Sequence, residues 1–153
     1  MTNSFCRAYH GAKPRVLVEE FIEEFEGASN DYKLFCFNGE PKFFYVATDH
    51  FKNGENGSDY PISFYSLEWE KLDVGYGGHD KTVHFEKPYH LEKMIEVAKT
   101  LSADFPFVRV DFFDTEEKLY MAELTFYPGG GFVNYHPEKF DREMGDMLVL
   151  PVK

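Results

Sequence analysis

Phe107-Val108-Arg109-Val110-Asp111-Phe112-Phe113, then a polar turn over 114–118, then Leu119-Tyr120-Met121-Ala122-Glu123-Leu124-Thr125-Phe126, decides the fold. Both runs read as strands, and alternate residues of a strand share a face. Val108, Val110 and Phe112 make one apolar face, and Arg109 and Asp111 lie on the other with Phe107 and Phe113. On the second strand, Leu119, Met121, Glu123 and Thr125 share one face, and Tyr120, Ala122 and Leu124 share the other. If the apolar faces coincide, Arg109, Asp111, Glu123 and Thr125 converge on one side of an antiparallel hairpin.

Working outward, a second hairpin stands upstream. Tyr32-Lys33-Leu34-Phe35-Cys36-Phe37 and Lys42-Phe43-Phe44-Tyr45-Val46-Ala47-Thr48 flank Asn38-Gly39, two residues that accept positive φ at low cost. The β-branched run Arg15-Val16-Leu17-Val18, breaking into Glu19-Glu20-Phe21-Ile22, reads as a buried strand leading into a loop over 23–31. Residues 52–59 and 73–82 read as loops, with a short strand inside 61–69. Leu91, Met94, Ile95, Ala98 and Leu101 recur at steps of three and four, so a helix is expected over 90–103. A short helix is expected near 138–144 after Pro137, and Met147-Leu148-Val149-Leu150-Pro151 reads as an edge strand. Strands dominate, helices are few, and no βαβ alternation is visible. The fold class is α+β with a mostly antiparallel sheet.

Two carboxylates side by side on one sheet face repel each other. A divalent ion removes that repulsion, and magnesium favours one or two carboxylates together with phosphate oxygens. Arg109 can hold a further anion, and the glycines after Pro128 let backbone approach a ligand closely. The alternative is a solvated face in which Glu123 pairs with Arg109 or a lysine, and Pro128-Gly129-Gly130-Gly131 is only a turn.

Composition narrows the choice. The 153-residue chain is one domain or one lobe, and its 17 Phe and 10 Tyr argue against disorder. Sixteen Lys and Arg against 27 Asp and Glu leave a net charge of −11, which repels nucleic-acid backbones. A polyphosphate needs a local device such as a metal ion to bind here. No apolar run reaches the ~20 residues of a membrane span, and the first residues lack a signal-peptide core. Cys6 and Cys36 form neither a disulfide framework nor a zinc pattern, which points to a cytoplasmic protein. The six histidines show no zinc-protease spacing, Trp69 reads as a core or rim aromatic, and no nucleophile elbow is present.

The order Arg109-Val110-Asp111-Phe112-Phe113, Glu123-Leu124-Thr125, Pro128-Gly129 resembles the end of the ATP-grasp catalytic lobe, as in D-alanine–D-alanine ligases. Asp31-Tyr32-Lys33 with Phe37-Asn38-Gly39, Phe105-Pro106-Phe107-Val108-Arg109-Val110-Asp111, and Glu123 through Gly130 are closer still to the TupA-like ATP-grasp family. That family is linked to teichuronopeptide and capsular polysaccharide biosynthesis. The resemblance covers about residues 14–150. It implies ATP and Mg²⁺ as cofactors. Asp111, Glu123 and Thr125 would be metal ligands, with the Thr125 hydroxyl a weaker neutral ligand where the family carries Asn. Arg109 would meet the γ-phosphate or acyl phosphate. Glu19, Glu20, Phe21 and Ile22 would meet adenine through their backbone, and Asp31 would meet the ribose. Lys33 is a phosphate contact by charge and position. Gly129 and Gly130 would donate N–H groups to the reacting carboxylate.

The implied activity is a carboxylate–amine (or similar nucleophile) ligase working through an acyl phosphate. Its substrate would be a carboxylate-bearing saccharide or amino acid. Only about 13 residues precede the hinge-like run, so residues 1–13 read as a remnant and 14–153 as the C-terminal lobe alone. A homodimer or a complementing N-terminal lobe would complete it. Two other readings stand beside this one. One is a binding or assembly module that keeps the scaffold without the chemistry; the other is a polysaccharide-pathway glycosyltransferase, for which no D-x-D motif is present.

Overall fold

A computed structural model describes residues 11, 13–19, 30–48 and 60–150. Its centre is a six-stranded antiparallel sheet of β1 (Asp31–Phe37), β2 (Glu40–Ala47), β3 (Ile62–Tyr65), β4 (Lys71–Leu72), β6 (Phe107–Asp114) and β7 (Leu119–Thr125). Their order across the sheet is β4-β3-β2-β1-β6-β7. A second, two-stranded sheet joins β5 (Gly75–Tyr76) to β8 (Tyr135–His136). The described residues hold two α-helices, α1 (Leu91–Ser102) and α2 (Glu138–Met147). This is the α+β, mostly antiparallel architecture expected.

The first hairpin closes at Asn38 (φ 51°) and Gly39 (φ 81°), the left-handed pair that a two-residue turn requires. A Cβ on Gly39 would also come 3.2 Å from Ala103 Cα at the end of α1. Alternation along β1, β2 and β6 sends Leu34, Val46, Val110 and Phe112 to one face, where Leu91, Met94 and Ala98 of α1 complete the core. The opposite face carries Phe35, Phe37, Phe43, Tyr45 and Phe64, covered by Tyr135 and by Phe140, Met144 and Met147 of α2. On its outer side α2 carries the i,i+4 ion pairs Arg142–Glu138 (2.6 Å) and Lys139–Glu143 (3.2 Å). Trp69 stacks on Tyr65 at 4.4 Å, and its Nε1–H donates to the Phe85 carbonyl at 3.3 Å, so it is a core aromatic.

Four expectations are corrected. Residues 15–19 are not a buried strand: Val16, Leu17 and Val18 are 91, 80 and 92% exposed. No strand among the described residues pairs with this run. The edge strand expected from 147 onward is absent, because α2 runs on to Met147. The Asn38 side-chain amide donates to the Met147 carbonyl at 2.7 Å, and residues 148–150 lie exposed outside any strand. The stretch 73–82 is not all loop, since Gly75 and Tyr76 pair with residues 60 positions away in β8. Finally, alternation along β7 is broken. Asp111 faces Glu123 but Phe112 faces Met121, so Ala122 is bulged out. Leu119 therefore packs on the α1 side together with Leu124, not with Glu123. Of the loop expected over 23–31, residues 23–29 lie outside the described residues and Asp31 already opens β1; the loop expected over 52–59 lies outside them altogether.

Candidate functional site

Strand register assembles the site. Tyr45, Lys33, Asp111 and Glu123 stand opposite one another across β2, β1, β6 and β7. In the next row, Phe35, Arg109 and Thr125 do the same. Arg109, Asp111, Glu123 and Thr125 do share a face, and it is the face away from α1. The bulge at Ala122 lets Glu123 and Thr125 keep that side while Leu119 packs on the core side.

Asp111 is the centre. The residue is 1% exposed, and a carboxylate buried so deeply needs paired charge and hydrogen bonds. Arg109 supplies a fork: Nε donates to Oδ1 at 2.7 Å and Nη2 to Oδ2 at 2.6 Å. Lys33 Nζ donates to Oδ2 at 2.9 Å and is also ion-paired with Asp31. Arg109 Nη2 reaches on to Thr125 Oγ1 at 3.0 Å, and that hydroxyl donates to Glu123 Oε1 at 2.8 Å. Among the described residues, two cations thus face three carboxylates, a net charge of −1. Glu123 is the exposed member, open to a ligand.

The electrostatics follow from burial. Desolvation raises the Asp31 carboxyl above its ordinary value, and the charge and hydrogen bond of Lys33 offset only part of that. For Arg109 desolvation is the largest influence and pulls the guanidinium down. The hydrogen bond and charge of Asp111, with Glu123 and Tyr45, outweigh it, so the net shift is upward. Burial likewise raises the phenols of Tyr45, Tyr76 and Tyr135, each of which feels the Arg109 charge. Burial pushes the Cys36 thiol up to about 12, which removes it as a nucleophile.

Beyond Phe35 the face becomes an apolar cleft of about 390 Å³ between the sheet and α2. Phe37, Phe107, Tyr127, Val133 and Met144 line it, with Asp141 on the helix side. Pro128–Gly131 forms a 3-10 turn beside it. Gly129 (φ 55°) must be glycine there, because a Cβ would meet Val133 Cγ2 at 2.2 Å. Gly130 N–H donates to the Tyr127 carbonyl at 3.0 Å, so in this geometry it closes the turn. Glu19 lies on the exposed 13–19 segment, and Glu20, Phe21 and Ile22 lie outside the described residues.

Magnesium fits this donor set in type and place: Asp111 and Glu123 are opposed on neighbouring strands, with the Thr125 hydroxyl between Arg109 and Glu123. Among the described residues no group of three or more His, Cys, Asp or Glu gathers to hold a metal by itself. A divalent ion here needs oxygens from a ligand as well. Two features escaped the sequence reading. Charge and position mark Lys33 as a phosphate contact, but its ion pair with Asp111, 78 residues away, is not visible in the sequence. The bulge at Ala122 left no signal at all.

The family model described as TupA-like ATPgrasp matches residues 2–149. The chain belongs to the TupA-like ATP-grasp family. No curated protein and no solved structure matches it. No helix among its described residues is long and apolar enough to cross a membrane.

Proposed function

We propose that this TupA-like ATP-grasp chain binds the magnesium-bound triphosphate of ATP on the Lys33–Asp111–Glu123 row and serves an ATP-dependent carboxylate ligase. The observation that carries the proposal is the registered row itself. Two opposed carboxylates, two cations and a hydroxyl share one sheet face in a family defined by ATP-grasp chemistry.

Asp111 and Glu123 hold the metal, with Thr125 aligning Glu123 from its position beside Arg109. When bound, magnesium acts as a Lewis acid on the phosphoryl oxygens. Arg109, held in plane by its fork to Asp111, presents its charge to the transferring phosphoryl group. A substrate carboxylate oxygen attacks the γ-phosphorus, ADP leaves, and an acyl phosphate forms. An amine or similar nucleophile then displaces phosphate from the acyl carbon. Such transfers rest on positioning and charge neutralisation. The Pro128–Gly131 turn places backbone N–H groups, including that of Gly129, beside the carboxylate, where fixed donors stabilise an oxyanion. Glu19 through Ile22 meet adenine and Asp31 meets the ribose. The substrate is a carboxylate-bearing saccharide or amino acid of cytoplasmic cell-surface polysaccharide assembly.

Calorimetric titration with Mg-ATP tests this reading. Binding that requires magnesium and disappears in Asp111→Asn is expected, together with ADP release that depends on an added carboxylate. A second reading, a binding module without ATP chemistry, is favoured by one observation: both Asp111 oxygens are already engaged by Arg109 and Lys33. Nucleotide binding indifferent to magnesium and to Asp111→Asn would decide for it.

A further inference from the structure

Lys33 occupies an unusual place for a lysine. Its side chain is 9% exposed, and its ammonium lies between two nearly buried carboxylates, those of Asp31 and Asp111. Tyr45 stands opposite it on β2 and Asp111 opposite it on β6, so the ammonium sits at the middle of the polar row. Lysine is a compact point charge on a flexible stem, unlike the planar fork of Arg109. It can release Asp111 and reach another oxygen without dismantling the strand, whereas Arg109 is fixed by three hydrogen bonds.

We infer that Lys33 is a place-holding cation that couples metal entry to nucleotide entry. This rests on the nucleotide reading above. A metal ligated by Asp111 must share a carboxylate whose Oδ1 already accepts from Arg109 and whose Oδ2 accepts from both Arg109 and Lys33. A divalent ion arriving alone would bring the cluster from −1 to +1 with the ammonium and guanidinium still beside it, and like charges crowded in a buried site are disfavoured. The ion arriving on a triphosphate brings its own negative charge and gives the ammonium a phosphate oxygen in exchange for Asp111. The free protein therefore refuses the bare ion and accepts the metal–nucleotide complex. Lys33 is a positioning residue here, setting the order of binding.

Mn²⁺ serves as the probe, its free concentration read by electron paramagnetic resonance, with and without the non-hydrolysable analogue β,γ-methylene ATP. In the wild type, Mn²⁺ binding should be at least tenfold tighter with the analogue than without it. Lys33→Met should bind Mn²⁺ alone at least tenfold more tightly than the wild type, and adding Asp111→Asn should abolish the gain. The double variant Asp31→Asn/Lys33→Met removes one charge of each sign, so it folds without a new charge excess. It should still bind Mn²⁺ alone more tightly than the wild type at unchanged net charge, which separates occupancy of the oxygen from net charge. Equal Mn²⁺ affinity in wild type and variants, or a gain that survives Asp111→Asn, overturns the inference. So does wild-type Mn²⁺ binding as tight without the analogue as with it, a result that needs no variant. If Mn²⁺ and analogue together fail to bind the wild type and every variant, it is the nucleotide reading that fails.

Discussion

Asp111 governs stability as well as the proposed chemistry. Replacing it by Asn leaves Lys33 and Arg109 buried without their shared anion, and breaking a buried pair typically costs about 3–5 kcal/mol. A urea titration of Asp111→Asn should show a loss of that order. Thr125→Val removes only the hydroxyl between Arg109 and Glu123 and should cost about 1 kcal/mol. Asp31 behaves differently because burial raises its pKa. The folded state then holds that proton more firmly than the unfolded chain does. The contribution of Asp31 is therefore full below its unfolded value of 3.8 and is lost as pH rises through the higher folded value. Subtracting the pH profile of Asp31→Asn from that of the wild type should leave a difference that declines with rising pH just above 3.8. A difference that climbs there would contradict the burial argument.

Elements differ in how plainly their residues announce them. The Asn38-Gly39 turn is legible because its two φ values suit few other residues. Gly39→Ala should cost about 1–3 kcal/mol through positive φ alone, before its Cβ meets Ala103, and thermal melting would measure it. Helix α1 is legible from the spacing of Leu91, Met94 and Ala98, all of which the structure buries. Met94→Ala, in a fully buried position, should lose about 2–5 kcal/mol. What stayed hidden depends on partners far along the chain. Gly75-Tyr76 becomes a strand only through Tyr135-His136, and Val16-Leu17-Val18 looks like a strand but pairs with none. The bulge at Ala122 carries no special residue. The candidate site divides the same way: Arg109, Asp111, Glu123 and Thr125 could be placed on one face from alternation. The Lys33–Asp111 pair spans 78 residues and needed the β1–β6 register to be seen.

Across the whole molecule, the sheet separates two tasks. One face is closed by α1 over an apolar core; the other runs from the charged row of Lys33, Asp111 and Glu123 into the aromatic cleft beneath α2. Membership of the TupA-like ATP-grasp family gives that second face its proposed ligand, and the paired state of Asp111 is the ground for proposing that the metal arrives with phosphate. Titration of the full chain with ATP, in the presence and absence of magnesium and in wild type and Asp111→Asn, tests this most directly. Heat of binding seen only with magnesium, and only in the wild type, is the expected result. Binding of equal strength in all four combinations, or in none, would contradict it.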